Sequence, residues 1–140
     1  MDLTDTLNIS ISGLNAQRVR LQTIAGNLAN ARTTRTPEGG PYQRRSPIFE
    51  AQQLDPFGGE MDRAMAEVQV TTIYKAESQG EVVYDPGHPD ADDDGYVTYP
   101  DINMMHEMVD MMTTQRSYEA NANVLETTRD LAMRALEIGK

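Results

Sequence analysis

The chain has 140 residues, with 12 basic and 22 acidic side chains, a net charge of −10, no cysteine and no tryptophan. That balance argues against nucleic acid as a partner, because phosphate binding wants clustered Lys and Arg. The missing cysteine excludes disulfides, thiol catalysis and thiolate metal sites. The charge is also uneven, at +3 over residues 1–45, −11 over 46–101 and −2 over 102–140. The acid thus lies between two nearly balanced flanks, and helices of low net charge pack together without much self-repulsion. Met1-Asp2-Leu3-Thr4-Asp5 offers no basic region followed by an apolar one, so no cleavable signal peptide is expected. No apolar run reaches the roughly 18 residues that a membrane span requires.

The first flank, residues 3–31, carries leucine at Leu7, Leu14, Leu21 and Leu28, with Leu3, Ile11, Ile24, Ala25 and Ala31 beside that line. A seven-residue spacing of this kind predicts a helical seam. Gly13 and Gly26 weaken the helix by roughly 1 kcal/mol each relative to alanine, and would let another backbone come close. The alternative is a break at Gly13, with the helix proper starting near Leu14. Thr36-Pro37-Glu38-Gly39-Gly40-Pro41 is turn chemistry that ends this flank. Residues 32–100 then read as a small, acidic, irregular β-rich insert. Its candidate strands are Tyr42–Ala51, Val68–Lys75 and Glu81–Tyr84, and Val68, Val70, Thr72 and Tyr74 share one face by alternation. Gln52–Met65, containing Pro56-Phe57-Gly58-Gly59, reads as a loop.

From Asp101 to Ile138 there is no proline or glycine, with Pro100 before and Gly139 after, as expected of one long helix. Met104, Met108, Met111, Gln115, Tyr118, Ala122, Leu125, Arg129, Ala132 and Leu136 follow one another at alternating spacings of four and three, and eight of the ten are apolar. That is a coiled-coil seam rather than a broad globular face. Thirty-eight residues make a rod of roughly 57 Å, whereas a compact 140-residue globule would be only about 37 Å across. Residues 1–31 and 101–140 are therefore expected to pair as an antiparallel coiled coil with the insert at one end, an α+β chain that needs neighbours to cover its overhang. Met104, Met105, Met108, Met111 and Met112 crowd five flexible thioethers into nine residues, suited to a contact surface that must fit several non-identical neighbours.

Two patterns raise metal chemistry. Asp90-Ala91-Asp92-Asp93-Asp94-Gly95 reproduces the start of a calcium loop, with Asp90, Asp92, Asp94 and, at the twelfth position, Asp101 as ligands. Pro86, Gly87, His88 and Pro89 just upstream cannot form the entering helix of an EF-hand, and the bland reading is a solvated acidic turn. His106-Glu107-Met108-Val109-Asp110 is a near miss to a zinc-protease helix, with Asp110 where a second histidine belongs, and a solvated helical face explains it as well. No serine–histidine–acid pattern, phosphate loop or paired glutamates stand out.

Asn27-Leu28-Ala29-Asn30-Ala31 at the end of the first helix resembles the N-terminal signature of bacterial flagellar axial proteins, the rod and hook family. In the last helix, Glu107-Met108-Val109 and Arg116-Ser117-Tyr118-Glu119-Ala120-Asn121 are similar to that family's other signature. Gly40-Pro41-Tyr42-Gln43-Arg44-Arg45 and Tyr84-Asp85-Pro86-Gly87-His88-Pro89-Asp90-Ala91, followed by Gly95-Tyr96-Val97, resemble the proximal-rod branch. Arg32-Thr33-Thr34-Arg35 replaces the T-x-G-[FY] of many relatives, which fits rod better than hook. Residues 51–80 match nothing. Relatives carry an acidic stretch before Gly-Tyr-Val with no calcium role to transfer.

The resemblance implies a non-enzymatic structural subunit without cofactor or small-molecule substrate. It would leave through the flagellar type III export apparatus without a cleaved signal, and polymerise through its terminal helices into the periplasmic rod of the basal body. That rod is the drive shaft from motor to hook, and the implied partners are copies of itself, FlgB, FlgF, FliE and the distal rod protein FlgG. The implied assembly interface is Leu7, Leu14, Leu21, Asn27, Leu28 and Asn30 on the first helix, with Met104, Met108, Met111, Tyr118, Asn121, Leu125, Ala132 and Leu136 on the last. Asn30 is placed to act as a left-handed C-cap, and Tyr118 lies on the seam with its hydroxyl needing a partner. The competing class is a calcium-dependent regulatory or adhesive module, and a metal hydrolase using His106 and Asp110 is a third. Calorimetry with calcium separates the first two: the assembly reading expects no binding heat, whereas heat and a raised Tm, both abolished by Asp92→Ala, would carry the calcium module.

Overall fold

The computed structural model describes residues 3–53 and 65–138. In order these form α1 (Leu3–Ala29), β1 (Arg45–Gln53), β2 (Ala66–Lys75), β3 (Glu81–Tyr84), β4 (Tyr96–Tyr99) and α2 (Met104–Ile138). The expected α+β class holds, with two long helices and two separate two-stranded antiparallel sheets, β1–β2 and β3–β4. Most of the expected loop at Gln52–Met65, with its Pro56-Phe57-Gly58-Gly59, lies outside the described residues.

The first helix runs unbroken through Gly13, so the alternative start near Leu14 is wrong. A Cβ at Gly13 would lie 3.3 Å from Asn121 Nδ2, so the missing side chain admits α2 at close range. At the other end Asn30 is not left-handed, correcting the expected C-cap, since among the described residues only glycines have positive φ. The Asn30 N–H instead closes a last turn onto Gly26 O at 3.1 Å, and its Nδ2 donates to the same carbonyl at 2.9 Å. Tight turns from Ala31 N–H to Leu28 O and Thr33 N–H to Asn30 O then lead the chain away.

The second helix starts three residues later than expected. Asn103 Oδ1 accepts from the N–H groups of Met105 and His106 at 3.0 and 3.1 Å, satisfying two of the donors that every helix start leaves open. The helices lie antiparallel. Asn27, near the end of α1, touches Glu107 in the first turn of α2, and Gly13 faces Asn121. Extending that register puts the start of α1 beside residue 131, so the last seven residues of α2, some 10 Å of helix, continue past it.

The first hairpin is not at one end of the helix pair, as the sequence reading has it. Arg45 at the start of β1 is bonded to Asn27, and the Val68 N–H donates to Ser12 Oγ at 3.1 Å, so the hairpin runs back along α1. Fifteen helical residues cover about 22 Å, matching about seven residues of strand. The expected face of Val68, Val70, Thr72 and Tyr74 is split. Ile48 pairs with Thr72 but Phe49 with Val70, leaving Thr71 as a bulge. The extra residue shifts the period-two alternation, so Val68 and Val70 share a face with Phe49 and Pro47 while Thr72 and Tyr74 turn to the other. The strand β4 has no counterpart among the expected strands, and it pairs with β3 from Glu81↔Tyr99 to Tyr84↔Tyr96.

Gly80 enters that second hairpin at φ +77°, and a Cβ there would run into the Tyr99 carbonyl and the Thr98 methyl group. Gly80→Ala therefore combines a disfavoured backbone with a backbone clash, and should cost about 2 kcal/mol or more in urea unfolding of the purified chain. Gly87→Ala, where φ is ordinary and the nearest atom is the end of the Asp85 side chain at 3.6 Å, should change the midpoint little.

Candidate functional site

Among the described residues, the most enclosed chemistry is a polar node joining α1, β1 and α2. Asn27 and Glu107 are each only 1% exposed. Asn27 Nδ2 donates to Arg45 O at 2.8 Å and to Glu107 Oε2 at 3.1 Å. Its Oδ1 accepts from the Arg45 N–H at 2.9 Å and from the Tyr42 hydroxyl at 3.2 Å. One amide thus meets both main-chain groups of Arg45, as a neighbouring strand would, and still holds a carboxylate and a phenol. Glu107 Oε1 accepts from Arg44 Nε at 2.7 Å, and Arg44 reaches on to Ser46 Oγ at 2.9 Å. A buried carboxylate is tolerated because both oxygens are engaged, one of them by a cation. The expectation that residues 106–110 form a solvated face is therefore wrong at Glu107. Its place between His106 and Met108 gave no sign of burial. The pointer was that Asn27, Arg44 and Glu107 each sit inside one of the family-like motifs.

Below the node, α2 turns a strictly repeating polar line toward the interior. Glu107 and Thr114 are buried, Asn121 and Thr128 half-buried, each seven residues from the last. Beside it run Met111, Leu125 and Ala132, half-buried, and Tyr118 at 37% exposure. The most enclosed positions of α1 are Ala16, Ile24 and Asn27, and Ala31 just past its end is buried too. Leu7, Leu14, Leu21 and Leu28 are all half-buried.

Of the expected α2 seam, Asn121 comes close to Gly13 of α1 and Met111, Leu125 and Ala132 are half-buried, whereas Met104, Met108 and Leu136 stay exposed. They belong to a larger uncovered set that includes Met105 at 70%, Met112 at 57%, Leu131 at 61% and Ile138 at 87% exposure. These exposed apolar side chains cluster toward the two ends of α2, with exposed Gln115, Arg116, Glu119 and Asn123 between them. Asn30 faces back onto α1 rather than outward, through its bond to Gly26 O and one accepted from Thr33 Oγ1.

Nothing among the described residues supports the calcium reading. Asp90 accepts from Thr34 Oγ1 at 2.7 Å with Arg35 3.8 Å away, and Asp92 Oδ1 accepts from the N–H groups of Asp94 and Tyr96. Asp101 binds Ser78 Oγ. The four do not converge, and among the described residues no group of three His, Asp or Glu side chains is placed to hold a metal ion. His106 is exposed, and its neighbour Glu107 is bound into the node. No described helix is long and apolar enough to cross a membrane.

Comparison with known proteins agrees along the whole chain. Residues 7–35 match the family described as flagella basal body rod protein, and residues 93–138 the family described as flagellar basal body rod FlgEFG protein C-terminal. The protein named flagellar basal-body rod protein FlgC from Aquifex aeolicus is 39% identical, covering 100% of this chain and 99% of its own length. The proteins of the same name from Borreliella burgdorferi (38%, covering 99% and 98%) and Salmonella typhimurium (36%, covering 100% of both) align as fully.

Truncating either member of the node strands its partners away from water. Asn27→Ala and Glu107→Ala should each lower unfolding stability by about 3–5 kcal/mol, read as a fall in urea midpoint at constant slope. Asn30→Ala, whose bonds are local to the helix end, should cost no more than about 1 kcal/mol. Similar losses at positions 27 and 30 would show that the node does not hold the three segments together.

Proposed function

The chain belongs to the flagellar basal-body rod protein FlgC family, and on that premise we propose that it is a structural subunit that polymerises through its terminal helices into the periplasmic rod and carries torque from motor to hook. It is organised as an assembly helix (residues 1–31), an acidic β-rich insert (32–100) and a C-terminal helix (101–140) that pairs with the first in coiled-coil fashion. Its neighbours are copies of itself and the other rod proteins, FlgB, FlgF, FliE and FlgG. It is delivered by the flagellar export apparatus without a cleaved signal, and it works without catalysis, cofactor or metal.

The observation that carries this reading is the set of exposed apolar side chains on α2, on a chain whose full-length relatives are rod proteins. A monomer that kept this surface in water would lose roughly 25 cal/mol for each Å² of it left exposed. Neighbouring helices remove that loss, and an exposed methionine surface adapts to neighbours of differing shape. Leu7, Leu14, Leu21, Leu28 and Asn121 contribute where their half-buried side chains still reach the surface, and the exposed Tyr118 contributes with them.

Because Met105 and Met112 are exposed, Met105→Asp with Met112→Asp should leave the stability of the purified chain within about 0.5 kcal/mol of wild type. The same pair should keep the chain out of isolated basal bodies and abolish swimming, since each places an unpaired charge in a dry interface. Leu21→Asp, at a half-buried site, should lose both stability and assembly. Normal incorporation of the double methionine variant would defeat the reading.

A further inference from the structure

Beside the C-terminal end of α1 lies a cleft of about 620 Å³, within the range of ordinary binding clefts. Arg35, Arg45 and Lys75 line it, against one carboxylate, Glu38. Glu38 is taken by Lys75 at 2.7 Å, and that ammonium, by hydrogen bond and then by charge, holds the Glu38 carboxyl below its usual range. The Arg45 guanidinium lies 5.5 Å over the Tyr42 ring. The Arg35 side chain is 79% exposed, and Asp90, its ion-pair partner, stands at the long distance of 3.8 Å. The cleft therefore carries an excess of positive charge on a chain of net −10, and a concave surface of one sign concentrates its field on ligands of the other.

The acid that matches it is on the same chain. Asp92, Asp93 and Asp94 are exposed in the turn between β3 and β4. That turn is held in one shape by the two main-chain bonds to Asp92 Oδ1 and by Gly95 at φ +82°, so little freedom is lost when it docks. The exposed Tyr84 and Tyr96, packed edge to face at 5.3 Å, flank it with apolar surface. Asp90 bonds Thr34 and so fixes the base of the turn near the cleft's own rim. We propose that the cleft formed by Arg35, Arg45 and Lys75 receives the Asp92–Asp94 turn of a neighbouring copy of this chain. The two surfaces differ, so the contact is head to tail and each docking leaves one cleft and one turn open for the next copy. The inference rests on the assembly reading only in that copies must lie side by side.

The natural absence of cysteine makes the test direct. Two distinguishable full-length chains, one carrying Gln43→Cys and the other Asp94→Cys, are produced together in flagellated cells, and isolated basal bodies are mildly oxidised. A disulfide forms only where Cα atoms come within about 7 Å, so a mixed dimer, absent with either chain alone, is the expected product. Both chains present in basal bodies without the mixed dimer, or linked to a different protein, would overturn the proposal while sparing the assembly reading. Absence of the unsubstituted tagged chain from basal bodies would overturn both. Charge reversal provides the second measure. Asp93→Lys with Asp94→Lys, or Arg35→Glu with Lys75→Glu, should each reduce incorporation, and producing the two reversed chains together should restore it. A contact within one chain cannot be restored that way, so failure of the mixture to recover refutes docking between copies.

Discussion

The placement of α1, β1 and α2 depends on the Asn27 amide having two main-chain partners and one charged one. By meeting both the N–H and the C=O of Arg45, it decides where β1 begins relative to the end of α1. By holding Glu107, it decides which turn of α2 lies beside that point. Arg44 then neutralises the carboxylate from the strand side. Three segments far apart in sequence are thereby set in one register. The price is a charged group held out of water, and it is offset by bonds that no single segment could supply.

With that register fixed, α2 can turn only one face to α1, and polar residues hold the deepest positions of that face. Glu107, Thr114, Asn121 and Thr128 go in, whereas Met105, Met108, Met112 and Leu131 stay out. A protein selected to live alone does the reverse. Small residues such as Gly13 and Ala16 let the helices come close, and on the proposed assembly much of the remaining apolar burial would wait for other chains. The same economy shows in the β1–β2 hairpin, which lies along α1 and leaves Ile48, Ile73 and Tyr74 exposed.

Both helices were legible from periodicity and punctuation, because runs of this length without proline have few alternatives. Leu7 to Leu28 marked the first, and the stretch from Met104 marked the second. The phase of the second was harder to read. Met108 and Thr114 lie on neighbouring lines of the same helix, and hydrophobic patterning prefers the methionine line for the intramolecular contact. Only the bond from Asn27 to Glu107 selects the other line, and such a bond between residues 80 apart leaves no trace in local pattern. The Thr71 bulge was invisible for a related reason, since one extra residue inverts a strand's faces without altering its composition. Spacing alone could not choose between an acidic turn and a ligand set, because it fixes which carboxylates are near one another and not whether backbone N–H groups engage them, as they do at Asp92.

The unequal helix ends have a geometric consequence. If α1 and α2 stopped at the same height, copies standing side by side would form a disc with a flat rim, and discs can be stacked or left as they are. Over the described residues seven residues of α2 run on past α1, so copies assembled side by side as proposed would end each layer in teeth and notches about 10 Å tall. On such a rim a fresh copy would gain walls as well as a floor at a notch, and its predecessor would set its height, as in a spiral stair.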